Sequence, residues 1–220
     1  PRYTLRKILM EPLKLHNIGA TPEERLDLML EILEKSGLTP AKDYLDRHTH
    51  ELSGGQLQRI AILRSMLLNP SFVVADEPVS MLDVSVRADI INMLETLVKE
   101  KNTALVFISH DIATTRYISD KVAVMYLGRI VEMGPTDEVL HNPQHAYTKV
   151  LISKCASLNP LERQEAIEIQ GEPPTPINTG PGCYFAPRCY CAEEGCSREY
   201  PPLVDIGGGH LVSCCKCCGV

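Results

Sequence analysis

The stretch from Glu51 to Pro78, ELSGGQLQRIAILRSMLLNPSFVVADEP, runs from a Ser-Gly-Gly turn through an amphipathic segment into an apolar strand that stops at Asp76-Glu77. Ser53-Gly54-Gly55 directly before a helix presents backbone N–H groups and the positive end of a helix dipole, a site suited to an anion. Four apolar residues ending in Asp-Glu suit phosphate chemistry on Mg²⁺, with Asp76 holding the ion through water and Glu77 polarising an attacking water. Read on these residues alone, the same letters also describe an ordinary N-cap on a glycine turn and a strand that ends in two solvated acids.

The surrounding pattern is that of an α/β protein. Helices are expected over residues 5–15, 22–36, 55–68 and 84–99. The second is marked by the Thr21/Glu24 capping pair, Pro22 at its first position, Gly37 behind it, and an apolar stripe of Leu26, Met29, Leu30 and Leu33. Phe72–Ala75 and Thr103–Ser109 read as buried parallel strands, so Asp76-Glu77 and Ser109-His110 fall at carboxyl ends, where open α/β sheets place functional groups. A short helix from Asp111 to about Ile118 leads to a hairpin, Lys121–Tyr126 and Arg129–Met133, turning at Leu127-Gly128. Helices over 136–141 and 145–153 follow. Near residue 159 the composition shifts to a Pro/Gly linker, Glu172-Pro-Pro-Thr-Pro176 and Gly180-Pro-Gly182, and a cysteine-rich tail.

Composition bounds the functions. The chain has 220 residues, 44% hydrophobic and 23% charged, which suits one substantial core with a small appendage. Its formal charge of −6 without a Lys/Arg stripe argues against a nucleic-acid surface. Apolar runs such as Ala104–Ile108 are far below the ~20 residues that span a bilayer, so any membrane role is peripheral. Nine cysteines without a signal peptide point to metal or cluster ligands in a reducing compartment.

Four motifs in order, LSGGQ at 52–56, FVVADEP at 72–78, SMLD at 80–83 and FISHD at 107–111, together resemble the nucleotide-binding subunit of ABC transporters. The resemblance covers almost the whole chain. It implies the parallel-sheet core of an ABC-type P-loop ATPase with a helical subdomain: residues 1–50 helical subdomain, 51–158 the C-terminal part of the ATPase core, 159–220 linker and cysteine-rich extension. It implies that Glu77 and His110 are catalytic, as general base or water-orienting group and as γ-phosphate contact, and that Asp76 holds Mg²⁺. Ser53, Gly54, Gly55 and Gln56 of the signature would cap a partner's ATP, and Asp83 would couple the two sites. The implied partners are a second ATPase subunit, two transmembrane permease subunits and, indirectly, a substrate-binding protein, at the cytoplasmic face of the cell membrane.

No G-x-x-x-x-G-K-S/T occurs in the sequence, and Pro1 begins just beyond the position of the family's Q-loop glutamine. The chain is therefore expected to be the C-terminal two-thirds of such a subunit and inactive alone. The tail narrows the resemblance: GEPPTPIN at 171–178, HNPQHAYTKVLI at 141–152 and Cys183, Cys189, Cys196 and Cys214 in C-x5-C-x6-C-x17-C spacing are similar to the oligopeptide/dipeptide-type importers. There the four cysteines imply a 4Fe-4S cluster; tetrahedral zinc would use the same ligands. Cys191 is an extra, and Cys215, Cys217 or Cys218 could substitute for Cys214. Nickel and oligosaccharide importers carry nearly the same ATPases. The rival readings are an ABC-type ATPase of DNA or the ribosome, which would bring coiled-coil insertions or basic arms, and a non-enzymatic cluster-binding regulatory fragment.

Overall fold

In the computed structural model the described residues are 2–154, 167–169, 171, 172, 174, 175, 177, 179–214 and 216. The expected boundary near 159, Cys155, Pro173, Pro176 and Asn178 of the linker, and the substitute ligands Cys215, Cys217 and Cys218 lie outside them. The chain forms two compact units, Pro1–His110 and Asp111–Val220.

The first unit opens with helices α1 (Leu5–Leu15), α2 (Pro22–Lys35) and α3 (Ala41–Leu45). Leu5, Leu9 and Leu13, spaced by four, put one apolar face of α1 into the core. Helix α2 starts as its sequence dictates: the Thr21 hydroxyl accepts from the Glu24 N–H at 3.2 Å and Pro22 occupies the first turn. Met29, Ile32 and Leu33 of α2 meet Leu5, Leu9, Leu13, Leu45 and, from α4 (Gly54–Met66), Ile60, Leu63 and Met66 in one cluster. Helix α3 is absent from the sequence reading because five residues after a proline carry too little periodicity to announce a helix. The Arg59 guanidinium ties α4 to its neighbours, donating to the Ser36 carbonyl at 2.9 Å and pairing with Asp89 at 3.3 Å.

Strand β1 (Phe72–Asp76) pairs in parallel with β2 (Ala104–Ile108), joined through α5 (Val84–Glu100), with Asp76 opposite Ile108. This is the strand–helix–strand crossover unit expected of α/β proteins. The expectation that both strands are buried on both faces is corrected. Val73 packs into the cluster with Met93, Leu97 and Val98, whereas Phe72, Val74, Val106 and Ile108 on the opposite face are 54, 55, 44 and 45% exposed. Alternation along a strand sends successive side chains to opposite faces, and helix cover reaches one of them.

The second unit contains α6 (Ile112–Ile118), the hairpin strands β3 (Lys121–Tyr126) and β4 (Arg129–Pro135), α7 (Thr136–His141), α8 (Ala146–Ser153), and two short strands, β5 (Val204–Asp205) and β6 (Leu211–Val212). Leu127 and Gly128 both adopt positive φ, 46° and 78°, the geometry a two-residue hairpin turn requires. The sheet order is β3-β4-β6-β5, all neighbours antiparallel. Strands β5 and β6 are a finding of the structure. Two residues each, they lie below any periodicity signal and are selected by pairing, β6 with β4 and β5 with β6.

Three aromatics seal this unit: Tyr126, Tyr147 and Phe185 meet with ring centroids 4.8 to 5.3 Å apart, and Phe185 is 1% exposed. Beneath them lies a polar knot. The fully buried Glu132 carboxylate accepts from the Gln144 N–H at 2.7 Å, the His145 N–H at 3.0 Å and His210 Nε2 at 2.7 Å. Burial pushes the His145 imidazole down to about 4, partly offset by the Glu132 carboxylate, and its neutral Nδ1 accepts from the Tyr147 N–H at 3.1 Å as the N-cap of α8. The unfolded chain takes up that proton near pH 6.5 and the folded chain only near 4, so unfolding binds a proton between those values and stability falls as pH drops through that window. Up to about 3 kcal/mol is at stake by this linkage. His145→Asn, which keeps a capping acceptor but cannot titrate there, is expected to flatten the slope in urea unfolding followed by circular dichroism. An unchanged slope between pH 6.5 and 4.5 would rule His145 out as its source.

Candidate functional site

The signature turn is built as a helix N-terminus. Ser53, in extended backbone, caps α4: its Oγ accepts from the Gln56 N–H at 3.3 Å while Gln56 Oε1 accepts from the Ser53 N–H at 3.0 Å. This reciprocal capping box leaves the Ser53 O–H as a donor that faces out with an exposed residue. Gly54 and Gly55 occupy the first turn, whose N–H groups have no acceptor within the helix. Glycine at 55 is a packing requirement, since a Cβ there would lie 2.6 Å from Val86 Cγ1. The signature turn thus sits against α5 and the loop that precedes it. Asp83 is the exposed N-cap of α5, and its side chain makes no capping bond.

Asp76 ends β1 and is exposed. Glu77 follows in the left-handed region, φ 47°, a conformation that costs a non-glycine residue about 1–3 kcal/mol and recurs at functional sites. Its backbone is held on both sides: its N–H donates to the Ile108 carbonyl at 3.0 Å, and its carbonyl accepts from Ser80 Oγ at 3.1 Å. The turn directs the Glu77 carboxylate to His110, whose Nδ1 lies 2.9 Å from Oε2 and 3.0 Å from Oε1. Parallel pairing of β1 and β2 is what brings together these two residues, 33 apart in sequence. His110 is 72% and Glu77 38% exposed in the side chain, so both reach solvent. The structure therefore joins Glu77 to His110, places Asp76 beside them, and builds Ser53, Gly54, Gly55 and Gln56 as one turn.

The tail cysteines converge. Cys183, Cys189, Cys191, Cys196 and Cys214 line one small cavity together with Phe185 and Lys216. Gly182 permits this: a Cβ there would lie 2.3 Å from the Cys196 carbonyl oxygen. Burial pushes the Cys183 thiol up, partly offset by bonds from the Phe185 and Ala186 N–H groups to its sulfur. Burial first, then the neighbouring Cys191 side chain, push Cys189 up to about 12. Among the described residues no three His, Cys, Asp or Glu side chains form a group that could hold a metal ion. The expected metal or cluster site is thus not preformed among the described residues. Cys183, Cys189, Cys196 and Cys214 share that cavity, and thiolate sulfur is the donor type that iron–sulfur clusters take.

The residues that sequence reasoning missed are Glu132, His145 and His210. Their one signal is a glutamate inside the apolar strand run Ile130-Val131-Glu132-Met133.

A strand-crossover-strand unit that carries a capped Ser-Gly-Gly turn, an Asp-Glu pair at one strand end and a histidine bonded to that glutamate at the next defines an ATP-binding cassette. Residues 2–80 match the family profile "ABC transporter" and residues 131–196 match "Oligopeptide/dipeptide transporter, C-terminal region". The chain is 47% identical to the dipeptide transport ATP-binding protein DppF of Haemophilus influenzae, over 97% of this chain and 64% of that one. It is 41% identical to the oligopeptide transport ATP-binding protein OppF of the same organism, over 98% and 65%, and 43% identical to a putative peptide import ATP-binding protein of Brucella ovis, over 98% and 67%. Among solved structures, the ATP-binding cassette MJ0796 in a dimeric post-hydrolysis state bound to ADP and Pi matches with TM-score 0.55 and 29% identity, over 62% of this chain and 58% of that one. A solved structure described as a putative metal-chelate type ABC transporter in an inward-facing conformation shares the fold, with TM-score 0.57 and 22% identity over 68% and 57%.

The chain belongs to the ATP-binding subunits of oligopeptide/dipeptide ABC transporters. It spans 63 to 65% of the length of the first curated relatives it matches. Among the described residues no helix is long and apolar enough to cross a membrane.

Proposed function

We propose that this chain is the signature-bearing portion of an ATP-hydrolysing subunit that energises an importer of oligopeptides or dipeptides from the cytoplasmic face of the membrane. The observation that carries the reading is the Glu77–His110 contact at the carboxyl ends of paired parallel strands. Glu77 takes a proton from the attacking water, and His110 orients that carboxylate and contacts the γ-phosphate. Asp76 would hold Mg²⁺, whose charge would offset that of the phosphates. Ser53 through its O–H, and Gly54 and Gly55 through their N–H groups, cap an ATP carried by a second ATPase subunit, with Gln56 rigidifying the turn and Asp83 linking the two sites. The dimeric state of the MJ0796 cassette supports this two-chain arrangement. Two permease subunits dock on the helices of residues 1–50, the helical subdomain beside a core over 51–158, and a substrate-binding protein delivers the peptide to them. No nucleic acid takes part.

The 220 residues contain no P-loop motif. Phosphate release by this chain alone is therefore expected to stay at background, while a chain extended to the length of its relatives turns over ATP in a Mg²⁺-dependent way. Turnover by the 220 residues alone would overturn the division of the site between segments. Background rates from both would favour a non-enzymatic regulatory role.

In the extension over 159–220, Cys183, Cys189, Cys196 and Cys214 would hold a 4Fe-4S cluster, a reading supported by their spacing and shared cavity. When bound, the cluster would tie together four points of this segment. Anaerobic purification is expected to yield iron, with visible charge-transfer absorbance; one zinc per chain without iron would replace the cluster by zinc.

A further inference from the structure

Cys191 stands outside the four-cysteine set, and its surroundings give it a partner. Residues 189–192 form a tight turn closed by the Ala192 N–H donating to the Cys189 carbonyl at 3.3 Å. Such a turn brings its first and third residues within the Cα separation of about 4.4–6.8 Å that a disulfide tolerates. The two sulfurs lie 3.5 Å apart. Both cysteines are half-buried, and Tyr190 between them is 50% exposed, so the turn faces outward and small solutes reach it.

We propose that Cys189 and Cys191 are a reversible redox-modification site, closing to an intramolecular disulfide when a low-molecular-weight disulfide oxidises them. The Cys191 thiolate attacks one sulfur of RSSR, forming Cys191–S–S–R and expelling RS⁻. The Cys189 thiolate then attacks the Cys191 sulfur and expels the second RS⁻. Two protein thiols and one RSSR become one protein disulfide and two RSH, with two electrons passing to the oxidant. The ring closed is very small, so chain entropy holds the bond weakly, and reduction by excess thiol is easy. In a reducing compartment that is the behaviour of a regulatory disulfide rather than a structural one. Oxidation also withdraws Cys189 from thiolate ligation; that consequence rests on the cluster reading, whereas the disulfide does not.

The test uses the 220-residue chain, purified anaerobically, stripped of metal with a chelator, exposed to glutathione disulfide and capped with N-ethylmaleimide. Cleavage with trypsin and a Glu-specific protease separates Cys189 and Cys191 from Cys183 and Cys196. The expected peptide from Cys189 to Glu193 carries no maleimide, is lighter by two hydrogen atoms than its dithiol form, and becomes doubly alkylated after dithiothreitol. In Cys191→Ser the same peptide is instead alkylated or glutathionylated at Cys189. Recovery of the wild-type peptide with both cysteines alkylated or separately glutathionylated, or cross-linked to any other cysteine peptide, would overturn the proposal. Iron content and absorbance of the untreated protein are read independently. A protein that forms the disulfide but holds no iron keeps this proposal and sinks the cluster.

Discussion

Glu77→Gln, placed in a chain of the relatives' length, is expected to lower Mg²⁺-dependent ATP hydrolysis by about 10²- to 10⁴-fold, the range that a positioned general base contributes. The amide preserves size and can still bond His110, but it cannot take the proton of the attacking water. Nucleotide affinity should change little, because Glu77 acts on water rather than on the phosphates; affinity is measured separately with a fluorescent ATP analogue. His110→Ala should also depress turnover, since the imidazole 2.9 Å from the Glu77 carboxylate holds it in one orientation. A loss smaller than tenfold on Glu77→Gln, with nucleotide binding intact, would remove Glu77 from the role of base.

The second large effect is structural. Glu132→Ala is expected to destabilise the unit over 111–220 by about 3–5 kcal/mol, the cost of removing one partner from a buried charged network. Three donors lose their acceptor at once: His210 Nε2 and the N–H groups of Gln144 and His145. The two histidines lie where water cannot readily replace the lost acceptor, since His210 and His145 are 1 and 2% exposed. The bond between Glu132 and His210 spans 78 residues and fastens the segment before β6 to β4. Glu132→Gln, which keeps the shape and one acceptor oxygen, should lose less. Urea midpoints measured by circular dichroism separate the variants, and a loss below about 1 kcal/mol for alanine would mean that the knot is decorative.

Much of this molecule is legible from local letters. Thr21-Pro22 starts α2, Ser53 with Gln56 starts α4, and Leu127-Gly128 turns the hairpin, because capping bonds and positive φ depend on residues within four positions of one another. The order LSGGQ, DEP, SMLD and ISHD likewise names the family before any coordinate is known.

Contacts across long separations were not legible. That one face of β1 and β2 is open, that Glu77 adopts left-handed backbone, and that β5 and β6 extend the hairpin sheet all depend on which surfaces meet. Even where the cysteine spacing was visible, only the fold brings the local Cys189–Cys191 turn to the cavity lined by Cys183, Cys196 and Cys214. Sequence by itself determined the elements, the family and the candidate residues, because caps, turns and periodicity are short-range. Tertiary structure decided which carboxylate meets which histidine and which thiols share one cavity, because those groupings exist only after burial has offset the entropy of bringing distant segments together.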